Sequence, residues 1–201
     1  MKLYYISVWK NEDKDKTLEL ASETDLSSFS RFTRGTVNEF LMLFATKVAA
    51  GTRPGSGRTT LKEEAYSFHV LPLAEGLCGL IATDHEYPER VAQSLLTKIT
   101  YDFKAQYPRS AYINATEAKS LPFPELKEYL TKFQDPESAD NLSKIQKELQ
   151  ETKTVLHKTI ESVLERGEKI DSLVAKSDNL SAQSKMFYTQ AKKQNSCCVV
   201  M

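Results

Sequence analysis

The stretch LSKIQKELQETKTVLHKTIESVLERGEKIDSLVAKSDNLSAQSKMFYTQA, residues 142–191, sets the organisation of the chain. Its apolar and small residues return at alternating spacings of three and four: Leu142, Ile145, Leu149, Thr152, Leu156, Thr159, Val163, Arg166, Ile170, Leu173, Ser177, Leu180, Ser184, Phe187 and Ala191. A repeat of about 3.5 residues keeps one helix face aligned only if the helix supercoils around partners, so the pattern describes one strand of a coiled coil. Arg166 stands at a seam position between Val163 and Ile170. A guanidinium there needs acceptors, because its lost hydration is otherwise uncompensated.

Around that helix, a chain of 201 residues has room for one well-filled core. The 27 basic and 27 acidic residues cancel, which removes the electrostatic footprint of a nucleic-acid binder. No apolar run approaches the roughly 18 residues that cross a membrane, and Met1-Lys2-Leu3 leads into a strand-like segment rather than a signal sequence. A cytosolic protein is the expectation. Three cysteines, Cys78, Cys197 and Cys198, fit neither a disulfide framework nor a zinc site. No metal, cofactor or small-molecule substrate is expected.

Leu3 to Trp9 and Leu18 to Ala21, separated by a charged turn, predict a β-hairpin. Thr36-Val37-Asn38-Glu39 has the form of a capping box, and Gly51 offers a stop, so a short helix is expected between them. Its core stripe is Val37, Phe40, Leu41, Phe44 and Val48, yet Met42 and Leu43 project well away from that stripe. The second face is either buried within its own domain or a docking surface. The loop from Thr52 to Arg58 lacks the spacing and the lysine of a phosphate cradle. Thr59 to Glu64, Tyr66 to Leu71 and Leu77 to Thr83 predict a three-strand meander, with a turn at Ala74-Glu75-Gly76. Cys78 is expected to pack as a small core residue. A helix should follow Tyr87-Pro88 on Val91, Leu95, Ile99 and Phe103 until Pro108, and a weaker pattern through Leu121, Leu126, Leu130 and Phe133 predicts a further short helix. This order gives an α+β domain with helices covering an antiparallel sheet. Asp84-His85-Glu86 is the only cluster of acid and imidazole, and at a strand-to-helix corner it suits a turn better than catalysis. Asn114-Ala115-Thr116 matches a glycosylation sequon that a cytosolic chain never presents to that machinery.

The chain ends in Cys198-Val199-Val200-Met201, a C-a-a-X box whose terminal Met favours farnesyl on Cys198. Cys197 supplies a second lipidation site, for palmitate or a second prenyl group, and Lys185, Lys192 and Lys193 lie just upstream. One lipid holds a protein only marginally at roughly 0.8 kcal/mol per buried CH₂, whereas two hold it stably. Reversible attachment is the expected consequence.

Val163 to Ile170, reading VLERGEKI inside the heptads, together with Ser184-Lys185-Met186-Phe187, resembles the SNARE motif of the R-SNAREs. The segment DHEYPER from Asp84 to Arg90 is similar to the longin domain of that family, and Asn195-Ser196-Cys197-Cys198 is similar to the ending of its lipid-anchored type. The Thr52 to Arg58 loop and the segment from Pro108 to Leu121 carry no matching motif. The resemblance implies a longin (profilin-like) domain over residues 1–134, with a five-stranded antiparallel sheet and flanking helices. A long SNARE coiled-coil helix over 135–195 and a lipidated tail over 196–201 would follow.

It further implies that Arg166 occupies the central ionic layer of a parallel four-helix bundle, facing glutamines from three partner helices, and that the bundle fuses membranes in ER-Golgi, endosomal and vacuolar traffic. The other seam residues form the apolar layers. Implied partners are three glutamine-type SNARE helices, the membrane through lipid anchors, and a prenyltransferase. The implied places are a cytosolic pool and the cytoplasmic face of Golgi, endosomal, vacuolar and other endomembranes. Met42, Leu43 and Phe44 are the expected autoinhibitory surface, covering the unpaired helix or a lipid chain in a closed form. Two other readings stay open: a self-associating coil with Arg166 at its surface, and a longin-type adaptor tethered to membranes by lipid.

Overall fold

Strands β1 (Leu3–Lys10) and β2 (Leu18–Thr24) form the expected hairpin, with a register shift between Val8 and Trp9. The chain then runs through α1 (Arg34–Gly51), β3 (Thr59–Glu63), β4 (Tyr66–Pro72), β5 (Leu77–Thr83) and α2 (Glu89–Gln106), followed by the short helices α3 (Arg109–Ile113) and α4 (Glu125–Lys132). The computed structural model describes residues 1–13, 16–63, 66–135, 155–165 and 167–197, and for Ala191 and residues 193–197 it describes the helix without the side chains. Its C-terminal part holds β6 (Leu156–Thr159), a 3₁₀ turn (Ile160–Val163), α5 (Ile170–Lys176) and α6 (Ala182–Cys197).

The sheet order is β2-β1-β5-β4-β3-β6. Its first five strands pair antiparallel, as the hairpin and meander predict, whereas β6 pairs parallel with β3. Alternation along β5 divides the core. Leu77 and Ile81 face α2 and α4 in one cluster with Leu95, Ile99 and Phe103, and Cys78, Leu80 and Ala82 face α1 in the other with Leu41, Phe44 and Phe68. Both faces are covered, so all seven residues of β5 are buried. Burial pushes the Cys78 thiol up to about 12, which leaves it protonated and inert.

Two local expectations change. Helix α1 begins at Arg34, earlier than the capping box implies, and Thr33 at its N-cap makes no side-chain capping bond. Glu39 therefore lies beyond the first turn and cannot reach back to a cap. Pro88 sits at the N-cap of α2 with extended backbone, rather than at the first helical position. The end of α4 is fastened at two points: Tyr87 Oη, in the turn before α2, donates to the Phe133 carbonyl at 2.7 Å, and the Leu3 N–H at the start of β1 donates to Gln134 Oε1 at 3.3 Å.

The larger difference concerns residues 155–197. Expected as part of one heptad helix, they form a strand, a 3₁₀ turn and two helices laid against β3 and α1. The seam demands apolar cover, and without partner helices the nearest cover is the second face of α1. Gly167, between the 3₁₀ turn and α5, takes φ +86°, a left-handed conformation that costs glycine little.

Gly79 marks the closest approach of α2 to the sheet. A Cβ there would overlap Thr100 Oγ1 and stand 3.0 Å from Leu96 Cδ1. Gly79→Ala should therefore lower unfolding free energy by about 1–3 kcal/mol, read as a lower denaturant midpoint with the slope unchanged.

Candidate functional site: the second face of α1

Along α1 the heptad segment runs in the opposite direction. A Cβ on Gly51, at the C-terminal end of the helix, would overlap the carbonyl oxygen of Val163. One turn back, Lys47 Nζ pairs with Glu168 Oε1 at 3.5 Å. Met42 and Leu43 then line a cleft with Leu173, Ser177 and Asn179, and Glu39 Oε2 accepts the Ser181 N–H at 2.7 Å. That bond holds the Glu39 carboxyl below its ordinary value. The chain reverses into α6, where Tyr188 stands 5.8 Å from the Phe40 ring. Tyr188 Oη also donates to Asp171 Oδ1 at 2.8 Å, and Lys192 bonds the same carboxylate, which ties α5 to α6. The Lys192 ammonium, then the Tyr188 hydroxyl, hold Asp171 below its usual range.

This arrangement distributes the predicted seam unevenly. Ile170, Leu173, Leu180 and Ser184 are buried, as is Val174 beside them, while Val163 and Ser177 are half-buried. Each buried aliphatic side chain gains about 1.5–3 kcal/mol of transfer free energy. Ser184 finds its polar partner in the Ser181 hydroxyl, which donates to it at 3.1 Å. Leu156, Thr159 and Phe187 are exposed. Leu142, Ile145, Leu149, Thr152, Arg166 and Cys198 lie outside the described residues; Ala191 and Cys197 fall in α6, without described side chains.

The three residues singled out on α1 have separate places. Leu43 is buried and Met42 half-buried on the side of the heptad segment, both in the cluster that contains Ile170 and Leu173. Phe44 turns the other way, packing edge-on against Phe68 of β4 and stacking on Phe40. Phe40, assigned by its spacing to the core stripe, bridges the two sides.

The sequence reading missed the strand β6 and what lies beneath it. Thr59 pairs with Leu156, Thr60 with His157 and Leu61 with Lys158. His157 Nε2 reaches Glu89 Oε1 of α2 at 3.6 Å, and the same oxygen accepts the Thr60 hydroxyl at 3.0 Å. Thr60 Oγ1 lies 3.0 Å from Nδ1 of His69, whose Nε2 lies 3.2 Å from Thr83 Oγ1. Burial, then the nearby Lys62 and His157, bring His69 down to about 4, so its ring is neutral and carries one N–H. Because the Thr60 proton is committed to Glu89, the ring N–H belongs on Nδ1, donating to Thr60 Oγ1, and Nε2 faces the Thr83 hydroxyl, which also reaches the Asp84 carbonyl at 2.9 Å. Val155, Thr159 and Ile160, three β-branched residues within six, were the signal for a strand here, hidden by the heptad spacing over the same residues.

Among the described residues no helix is long and apolar enough to cross a membrane, and no cluster of His, Cys, Asp or Glu could hold a metal ion. What the site offers is a groove for a helix-forming segment of the chain itself. The family model of the longin, or regulated-SNARE-like, domain matches residues 26–130, and the synaptobrevin model matches residues 141–199. The synaptobrevin homolog ykt6 of Schizosaccharomyces pombe is 52% identical over the full length of both chains. Those of Saccharomyces cerevisiae and Yarrowia lipolytica are each 48% identical, again over both full lengths. The chain belongs to the synaptobrevin family of longin-bearing SNAREs. Its work is therefore in membrane traffic among SNARE partners, in a family that catalyses no reaction.

Gly51→Ala separates the groove from the body that carries it. The methyl group should favour α1 by up to about 1 kcal/mol while pushing Val163 away. Hydrogen exchange should then rise across residues 156–164, with no loss of protection in β1, β4 and β5.

Proposed function

We propose that this chain is an R-SNARE whose longin domain holds its own SNARE motif closed until partners take it. The supporting observation is that α1 covers Ile170, Leu173 and Leu180 with a face that the sheet does not use. These side chains are seam positions of the heptad repeat, so a four-helix bundle would need them back. In the released state Arg166 supplies the central layer, its donors met by glutamines from three partner helices, and the layer sets register more than it adds stability. The remaining seam residues, from Leu142 to Ala191, form the layers on either side. Farnesyl on Cys198, attached by a prenyltransferase, and palmitate or a second prenyl group on Cys197 anchor the chain to endomembranes of the Golgi, endosomal and vacuolar routes. Zippering toward that anchor draws the bilayers together. Met42 and Leu43 are the closing surface, with Phe44 holding the helix that carries them.

Leu43→Glu places a charge under Leu173 and should open the chain. Hydrogen exchange across residues 156–190 should rise more than tenfold, and assembly with three glutamine-type SNARE helices should quicken by the same factor. Unchanged exchange in that segment would refute the closed form.

Arg166 is tested in the opened chain. With Leu43→Glu as background, Arg166→Glu should sharply weaken assembly with glutamine-bearing partners, as judged by gel filtration, because the amide oxygens lose the guanidinium donors and a shorter side chain buries an uncompensated negative charge. A stable homo-oligomer formed without partners would instead favour a self-associating coil.

A further inference from the structure

Between β2 and α1 the chain holds a side chain out to solvent. Phe32 is 91% exposed, the most exposed of the large hydrophobic residues among those described. The loop around it is firmly built. The Ser27 N–H donates to Asp25 Oδ1 at 2.9 Å, Phe29 N–H to the Leu26 carbonyl at 3.0 Å, and the Phe29 ring packs 5.3 Å from Tyr4. Thr33 N–H and Arg34 N–H both donate to the Ser30 carbonyl, at 3.1 and 3.0 Å. From the base, Arg34 Nη2 donates to the carbonyls of Phe29 at 3.1 Å and Ser27 at 3.4 Å. Phe29 thus turns inward as an anchor, and Phe32, three residues on, is carried at the tip. An ordered loop gains nothing in water from presenting an aromatic ring there.

The surroundings say what would cover it. From Ser27 to Gly35 there are two basic residues, Arg31 and Arg34, and no acidic one. Both arginines border a shallow hollow beside the tip, with Ser27 and Asn38 at its rim. The one carboxylate there, Asp25, is already committed to the Ser27 N–H and to Gln134 Nε2 at 3.2 Å. A basic rim around a protruding aromatic ring complements a bilayer surface with anionic headgroups, where arginine meets phosphate and the ring enters the interface.

We infer that the Arg31-Phe32 tip of the β2–α1 loop is a membrane contact of the longin domain, selective for anionic lipid and separate from the lipidated tail. Phe32 inserts at the level of the headgroups and Arg31 binds lipid phosphate, with Arg34 adding charge while it braces the loop. None of the three lines the groove that receives residues 155–197. The contact is therefore available whether that segment is docked or released, and it does not depend on the closed form proposed above.

The test uses the full chain made in bacteria, free of prenyl and palmitoyl groups, and vesicles sedimented with it. Binding should be measurable to two-to-one phosphatidylcholine and phosphatidylserine, and weak to phosphatidylcholine alone. Phe32→Ser should lower binding to the anionic vesicles about tenfold, and Arg31→Ala about fivefold, with added salt weakening the wild type. Both positions are on the surface, so the melting temperature of each variant should match that of the wild type. Equal vesicle binding by wild type and Phe32→Ser would overturn the inference. So would binding to neutral vesicles as strong as to anionic ones, or absence of binding to both. A variant that binds vesicles normally but loses a protein partner would assign the tip to that partner instead.

Discussion

An apolar seam repeated every three or four residues must be covered wherever it is, and α1 is built so that it can be covered at home. One side of this helix presses Leu41, Phe44 and Val48 onto the sheet, and the other receives Ile170 and Leu173. A single helix thus joins the body of the domain to the segment that follows it. A side chain can be buried in one place at a time, so any assembly that uses this seam must first lift it from α1. The two arrangements are alternative burials of the same residues, and the difference between them is small compared with either burial alone.

Polar contacts give that burial its position. Apolar faces slide, whereas the Glu39 carboxylate accepting the Ser181 N–H, and the ion pair of Lys47 with Glu168, each fix one point along the helix. Neither contributes much energy, since both partners of the ion pair keep access to water. Their effect is on register. Under β6, the chain of Glu89, Thr60, His69 and Thr83 plays a comparable part inside the domain, because a buried polar group is tolerated only in the geometry that satisfies it.

The α+β body was legible because its signals are local. Short runs of β-formers bounded by turn residues gave the five antiparallel strands, and the four-residue recurrence of Val91, Leu95, Ile99 and Phe103 gave α2. The leftover face of Met42 and Leu43 was also legible, since helical geometry alone says that they point away from the core stripe. The fate of residues 155–197 was not. Their heptad spacing is a statement about a helix among partners, and that α1 could cover them entered only through the family resemblance and the leftover face of Met42 and Leu43. The capping box at Thr36 misled for a related reason: Glu39 has the right type and spacing, but its acceptor oxygen is used at long range by Ser181. Phe40 shows the limit of spacing rules most clearly, because a residue on the border of two faces belongs to whichever neighbour is present.

The pairing of β6 with β3 has a consequence for how long the chain can stay released. While β6 is in place, β3 is an interior strand with hydrogen bonds on both sides. Once β6 departs, the outward N–H and C=O groups of Thr59 to Lys62 become an unsatisfied border, a template for any extended segment of like kind. Lys62 is the one charged side chain along that paired border, a thin guard against sticking. If the chain works by the release proposed above, crowded copies of the released form would be a hazard to one another, and the lifetime of that form would matter as much as its equilibrium share. The safest chain is one that opens late, close to its partners, and for no longer than they need to claim it.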